Sequence, residues 1–172
     1  MKLYRSRMPT IAHAVVERLC NESDIEVQPE NREEAERDIV AILDTFTRRD
    51  QDLHEKVRES MEQRGLPYDQ YGKVRKQVAE QWDHPLGDEV ERYLSRQIVE
   101  NFMISRFVEE VYSEDRELYK KILDTMKAND VDENALRVEA RERIKNVQEG
   151  SVDYENALSR SLKEVRKRHG LS

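Results

Sequence analysis

The sequence predicts an all-α protein, two diverged four-helix blocks forming a bundle-like body, and three observations carry that expectation. Of its 172 residues 39% are charged and 6% aromatic, with 5 Gly and 4 Pro, so charged helix formers abound and the punctuation that sheets require is scarce. The apolar residues, 37% of the total, recur at spacings of three and four, which separates this chain from disordered sequences of similar charge. The tetrapeptide I-L-D-T stands at Ile42 to Thr45 and again at Ile122 to Thr125, each copy inside such a stripe.

The first stripe begins near Pro9, a residue suited to a first helical turn, and runs through Ile11, Ala12, Val15, Val16 and Leu19. Asn21 to Glu30 then reads as a loop, within which Ile25 and Val27 alternate with charges as a short extended piece would. Asn31, three residues before Glu34, predicts an N-cap with a capping-box partner for a second helix through Ala35, Ile39, Ile42, Leu43 and Phe46. Arg48 to Asp52 predicts a break, followed by a third helix through Leu53, Val57 and Met61 that Gly65 caps. A fourth stripe joins Tyr71, Val74, Val78 and Trp82, and D-H-P-L-G after it marks a joint.

Past Gly87 the pattern starts again. A fifth stripe runs through Val90, Tyr93, Leu94, Ile98, Phe102 and Phe107, and Ser113 to Asp115 offers a cap for a sixth through Leu118, Tyr119, Ile122, Leu123 and Met126. Leu136, Ala140, Ile144 and Val147 form the seventh, with Gly150 just beyond, and Tyr154, Leu158, Leu162 and Val165 the eighth, ended by Gly170. V-R-E-S-M-E at Val57 aligns with A-R-E-R-I-K at Ala140. The expected organisation is therefore a first helical repeat over residues 1–86 and a second, more divergent one over 87–172.

The opening K-L-Y-R-S-R-M-P-T-I-A-H-A-V-V-E-R-L, the acidic amphipathic helix around A-I-L-D-T-F and the charged tail together resemble the bacterial domain of unknown function 507, here as a diverged tandem of two copies. In the second half the proline and histidine are replaced, and Arg106 stands where Val15 stood. The resemblance implies a small intracellular bacterial helical protein and brings no activity or catalytic residue with it.

The net charge of −7 arises from 30 Lys+Arg against 37 Asp+Glu, which predicts mixed ion pairs on solvated helix faces and no global attraction to nucleic acid or anionic membrane. One cysteine, Cys20, excludes an internal disulfide framework and suits the reducing cytoplasm. No apolar run approaches a membrane span, and the first residues lack a signal peptide's apolar region. His13, Glu17 and Cys20 share nearly one helix face, but without a cysteine pair they read as ordinary helix residues, and no metal site is expected. Phosphate loops, dinucleotide turns, nucleophile elbows and zinc-protease motifs are missing from the sequence, so the expectation is no cofactor and no enzyme activity.

Two sets of residues stand out. Arg5 and Arg96 each follow a leucine by two positions and either lock the start of a block against acidic or carbonyl groups on a neighbouring helix or stand as exposed charges, two readings of equal weight. Arg5, Arg7, Arg166, Lys167 and Arg168 would form a phosphate-contacting patch if the termini meet, although Arg166 to Arg168 also suit the negative end of a helix dipole. Tyr4, Tyr68 and Trp82 could stack on bases, with Trp82 at core spacing. The function expected first is a non-enzymatic protein-binding or scaffold module with an unidentified protein partner or self-association. A nucleic-acid-associated protein working through the basic termini comes second.

Overall fold

Pro9 occupies the first turn of α1 (Met8–Asn21), where its missing N–H costs nothing, and Ile11, Ala12, Val15, Val16 and Leu19 are buried along one face as their spacing requires. The computed structural model describes residues 1–172, and the fold is all-α apart from one pair of two-residue strands. The remaining helices are α2 (Arg32–Arg64), α3 (Tyr71–Gln81), α4 (Glu89–Ile104), α5 (Asp115–Ala128), α6 (Glu133–Arg143) and α7 (Val152–Arg168). Strands β1 (Ile25–Glu26) and β2 (Glu110–Val111) pair antiparallel, Ile25 opposite Val111. The helices fall into two compact units, one of Met1 with Met8–Asn129 and one of Lys2–Arg7 with Asp130–Ser172.

In the first unit α1 packs on α2 and α5, α4 packs on α2 and α5, and α3 packs on α2. The break expected at Arg48 to Asp52 is absent, because α2 runs unbroken for 33 residues, about 50 Å at the helical rise. Nothing in R-R-D-Q-D breaks a helix, and Phe46 and Leu53 are seven apart, so the stripe keeps its face across the gap. The polar interruption has its own task. Asp50 accepts hydrogen bonds from Arg75 at 3.1 Å and from His84 Nε2 at 3.0 Å, and the His84 side chain, fully buried, stacks on Phe46 at 5.0 Å.

The capping box at Asn31 and Glu34 does not form either. Pro29 to Asn31 already make a 3₁₀ turn that runs into α2, so Asn31 has helical dihedrals and its side chain caps nothing. The fifth stripe stops before Phe107, at Ile104, where the backbone of Ser105 turns extended and its Oγ accepts from the Phe107 N–H at 3.2 Å while donating to Asp38 at 3.1 Å. Helix α6 likewise ends at Arg143, short of Ile144 and Val147, which follow in tight turns. Between the two I-L-D-T copies the burial phase differs. Leu43 and Phe46 are buried in α2 with Ile42 half-exposed, whereas Ile122, Thr125 and Met126 are buried in α5 with Leu123 half-exposed. The shared word thus meets the core about one residue, or 100°, out of phase.

The second unit is a helical hairpin of α6 and α7 with the N-terminal segment laid against it, centred on Leu136, Ala140 and Val165. Both helices start with a side-chain cap: Asp132 accepts from Ala135 N–H and Ser151 from Tyr154 N–H, each at 3.0 Å. Mid-helix, the Ser161 hydroxyl donates across the hairpin to the Ala140 carbonyl at 2.9 Å.

Candidate functional site

The termini meet in the second unit. Ser172 N–H donates to Ser6 Oγ at 3.1 Å, which brings the segment carrying Arg5 and Arg7 to the end of α7, where Lys167 and Arg168 are exposed. Arg166 is engaged elsewhere: its Nη2 donates to Glu133 Oε2 at 3.0 Å, and the Tyr4 hydroxyl donates to the other oxygen of the same carboxylate. Burial, reinforced by that bond to Glu133, pushes the Tyr4 phenol up to about 12. Burial also works against the Glu133 carboxylate, but the bonds from Tyr4 and Arg166 outweigh it and hold its pKa below the usual carboxylate range. Tyr4, weighed as a base stacker, is instead buried, and Arg7 borders a small cleft with Leu136, His169 and Leu171.

Arg5 and Arg96 lie in different units. Arg96 is exposed on α4 and edges a cleft of about 320 Å³ against α5, shared with Val99, Glu100, Asp115, Arg116 and Tyr119. Two cationic and two anionic side chains line that cleft, so it sets no preference for ligand charge. His13, exposed on α1, lies between Glu36 of α2, at 2.8 Å, and Glu17 of its own helix, at 3.4 Å.

The most developed surface lies on the arm formed by the second half of α2 and by α3. Leu53, Val57, Met61, Val74, Val78 and Ala79 give the arm its own core, closed at the tip by Leu66 and Tyr71. Gly65 ends α2 in the left-handed region at φ 61°, the Leu66 N–H returns to the Met61 carbonyl at 3.0 Å, and Pro67 leads into a 3₁₀ turn of Tyr68 to Gln70. That turn displays the Tyr68 ring, 85% exposed, stacked on Tyr71 at 5.9 Å; Tyr71 in turn tilts against His54 at 5.5 Å and hydrogen-bonds it through its hydroxyl. The three rings edge a groove of about 690 Å³ whose other walls are Glu55, Arg58, Glu59, Glu62, Met61 and Leu66. Replacing Gly65 by alanine is expected to cost about 1 kcal/mol in urea unfolding, because only the left-handed backbone is strained; a Cβ there would meet no atom within 4 Å.

Residues 1–171 match the family described as "Protein of unknown function (DUF507)". The chain belongs to the DUF507 family. The match runs through both halves, from the N-terminal segment of the second unit to the end of α7. No curated protein matches this DUF507 chain. None of its helices is long and apolar enough to cross a membrane.

For this DUF507 protein, the sequence pointed to the basic termini, which do come together, and missed the arm groove. L-P-Y-D reads in one dimension as a plain turn. The signal available was the glycine and proline on either side of Leu66, which fix a turn and so make the exposed aromatic after it a displayed group.

Proposed function

We propose that this DUF507 protein is a non-enzymatic binding module that docks a protein partner on the α2–α3 arm. One observation carries the reading: an arm with its own core presents a ladder of three aromatic rings beside a groove, with its outermost ring almost wholly in water. Aromatic rings held in place by packing give large contact area at little entropic cost, and such residues dominate binding energy at interfaces. A single cysteine, half-buried on α1, fits residence in the cytoplasm.

The test is a photo-crosslinking residue in place of Tyr68, in the native host at near-physiological salt, with Glu155 on α7 as the control position. The expected result is a stoichiometric protein adduct at position 68 that survives nuclease and is missing at position 155. Equal adducts at both positions, or none at 68, would overturn the reading.

A second reading rests on the meeting of the termini, which gathers Arg5, Arg7, Lys167 and Arg168 at one end of the second unit. Nucleic acid bound there would dissociate steeply with added salt. Neutralising Lys167 and Arg168 together is expected to reduce any retention of nuclease-sensitive material several-fold and to leave the adduct at position 68 unchanged.

A further inference from the structure

We infer that the arm groove takes a basic segment of its partner, with a lysine or arginine side chain laid on Tyr68 and its cation facing Glu55 and Glu62; this inference rests on the arm being the docking surface. The groove walls carry three carboxylates, Glu55, Glu59 and Glu62, against the single guanidinium of Arg58. These glutamates stand at spacings of four and three along α2, so they share one face and repel one another. Only Glu59 is compensated within the arm, by Lys56 at 3.0 Å and by the Gln63 amide at 3.3 Å. Glu62 also lies in the last turn of α2, where the helix dipole adds negative rather than positive potential.

The aromatic side of the groove selects the same sign. The faces of Tyr68 and Tyr71 are the negative regions of their rings, and a cation within about 6 Å of such a face is attracted to it. Tyr68 has one face covered by Tyr71, which leaves the other as a platform at 85% exposure. Met61 and Leu66 line the same groove and accept the aliphatic stem of a long basic side chain or an apolar neighbour in the segment. Carboxylates, ring faces and helix terminus thus converge on a cation with apolar flanks, and they disfavour a phosphate backbone in the same place.

The intact protein would be titrated, by fluorescence anisotropy at near-physiological salt, into a short labelled peptide alternating arginine and leucine, into its counterpart with glutamate for arginine, and into a single-stranded oligonucleotide. Binding of the arginine peptide alone is expected. Glu55→Gln with Glu62→Gln should weaken it about tenfold, as should Tyr68→Ala, while Tyr68→Phe, which keeps the ring face, should retain it. All of these positions are exposed, and unchanged circular dichroism would show that the variants fold. Equal binding of the acidic peptide, preference for the oligonucleotide, or indifference to the double glutamine variant would overturn the inference. A position-68 adduct that persists in the double glutamine variant would leave the arm as docking surface and sink only the basic occupant, whereas loss of that adduct in the unmutated arm would remove the surface itself.

Discussion

Replacing Asp24 by alanine should lower the stability of the first unit by about 2–4 kcal/mol, read as the midpoint and slope of urea unfolding at pH 7. Asp24 is 3% exposed at the junction of α1, the strand pair and α5. Its carboxylate accepts from Lys121 Nζ at 2.7 Å and from the Ser113 hydroxyl at 2.6 Å, and its carbonyl accepts from the Tyr112 N–H at 2.8 Å. Beside it Arg18 donates to the Lys121 carbonyl at 3.2 Å and to Thr125 at 3.3 Å, so α1 and α5 are tied by one polar cluster. Alanine would strand the Ser113 hydroxyl and leave Lys121 with only Glu22, at 3.6 Å. The range starts lower than the about 3–5 kcal/mol of a fully buried pair, because the Lys121 side chain is 27% exposed and can turn to water.

The same carboxylate makes an acid-side prediction. Burial raises the Asp24 pKa, but the bonds from Lys121 and Ser113 outweigh it, and the net direction is below the ordinary value. A carboxyl whose pKa is depressed by folding contributes fully above its unfolded value, about 3.9, and loses that contribution as pH falls through the folded value. The gap between the unmutated protein and Asp24→Ala should therefore hold from neutral pH to about 4 and narrow below it. A gap that stays constant to pH 3 would mean that Asp24 acts through shape and not through its charge.

How much of this was legible in the sequence depends on distance along the chain. Helix faces were, because burial of Ile11, Val15 and Leu19, or of Leu118, Ile122 and Met126, follows from spacing within one turn or two. The continuity of α2 was hidden by charges that look like a loop in one dimension; only the fold shows that Asp50 is polar because Arg75 and His84 converge on it. The pairing of Ile25 with Val111 was invisible because the strands are two residues long and separated by most of the first unit. On the functional side, the proximity of Arg7 and Lys167 needed the Ser6 to Ser172 contact, and the engagement of Arg166 needed Glu133, a residue with no periodic signature. The negative groove was the least legible. Its glutamates look like any solvated helix face until Tyr68 and Tyr71 are folded beside them.

Removing that Glu133 carboxylate should cost the second unit about 2–3 kcal/mol for Glu133→Ala. Glu133 opens α6, where a negative charge suits the helix dipole, and it ties α6 to α7 through Arg166 and to the N-terminal segment through Tyr4. Without it the Arg166 guanidinium, 25% exposed and with a buried Nε that has no partner, keeps its desolvation cost and loses its counter-charge. Lys2, whose pKa burial and then Arg166 already depress, loses an attractive neighbour in the same step. Hydrogen exchange should locate the effect: amides of α6 and of the last turns of α7 are expected to exchange about tenfold or more faster, and unchanged exchange would overturn the tie. Glu133→Gln, which keeps an acceptor for Tyr4, should lose about half as much. The pH dependence works from both ends. The depressed Glu133 pKa contributes above about 4.3 and fades as pH falls below it, while the raised phenol contributes below its unfolded value of about 10 and fades as pH climbs through 12. Ultraviolet titration of the tyrosines should accordingly show a phenol ionising near 12 in the unmutated protein and at lower pH in Glu133→Ala, since losing the bond and loosening the segment both let Tyr4 ionise more easily.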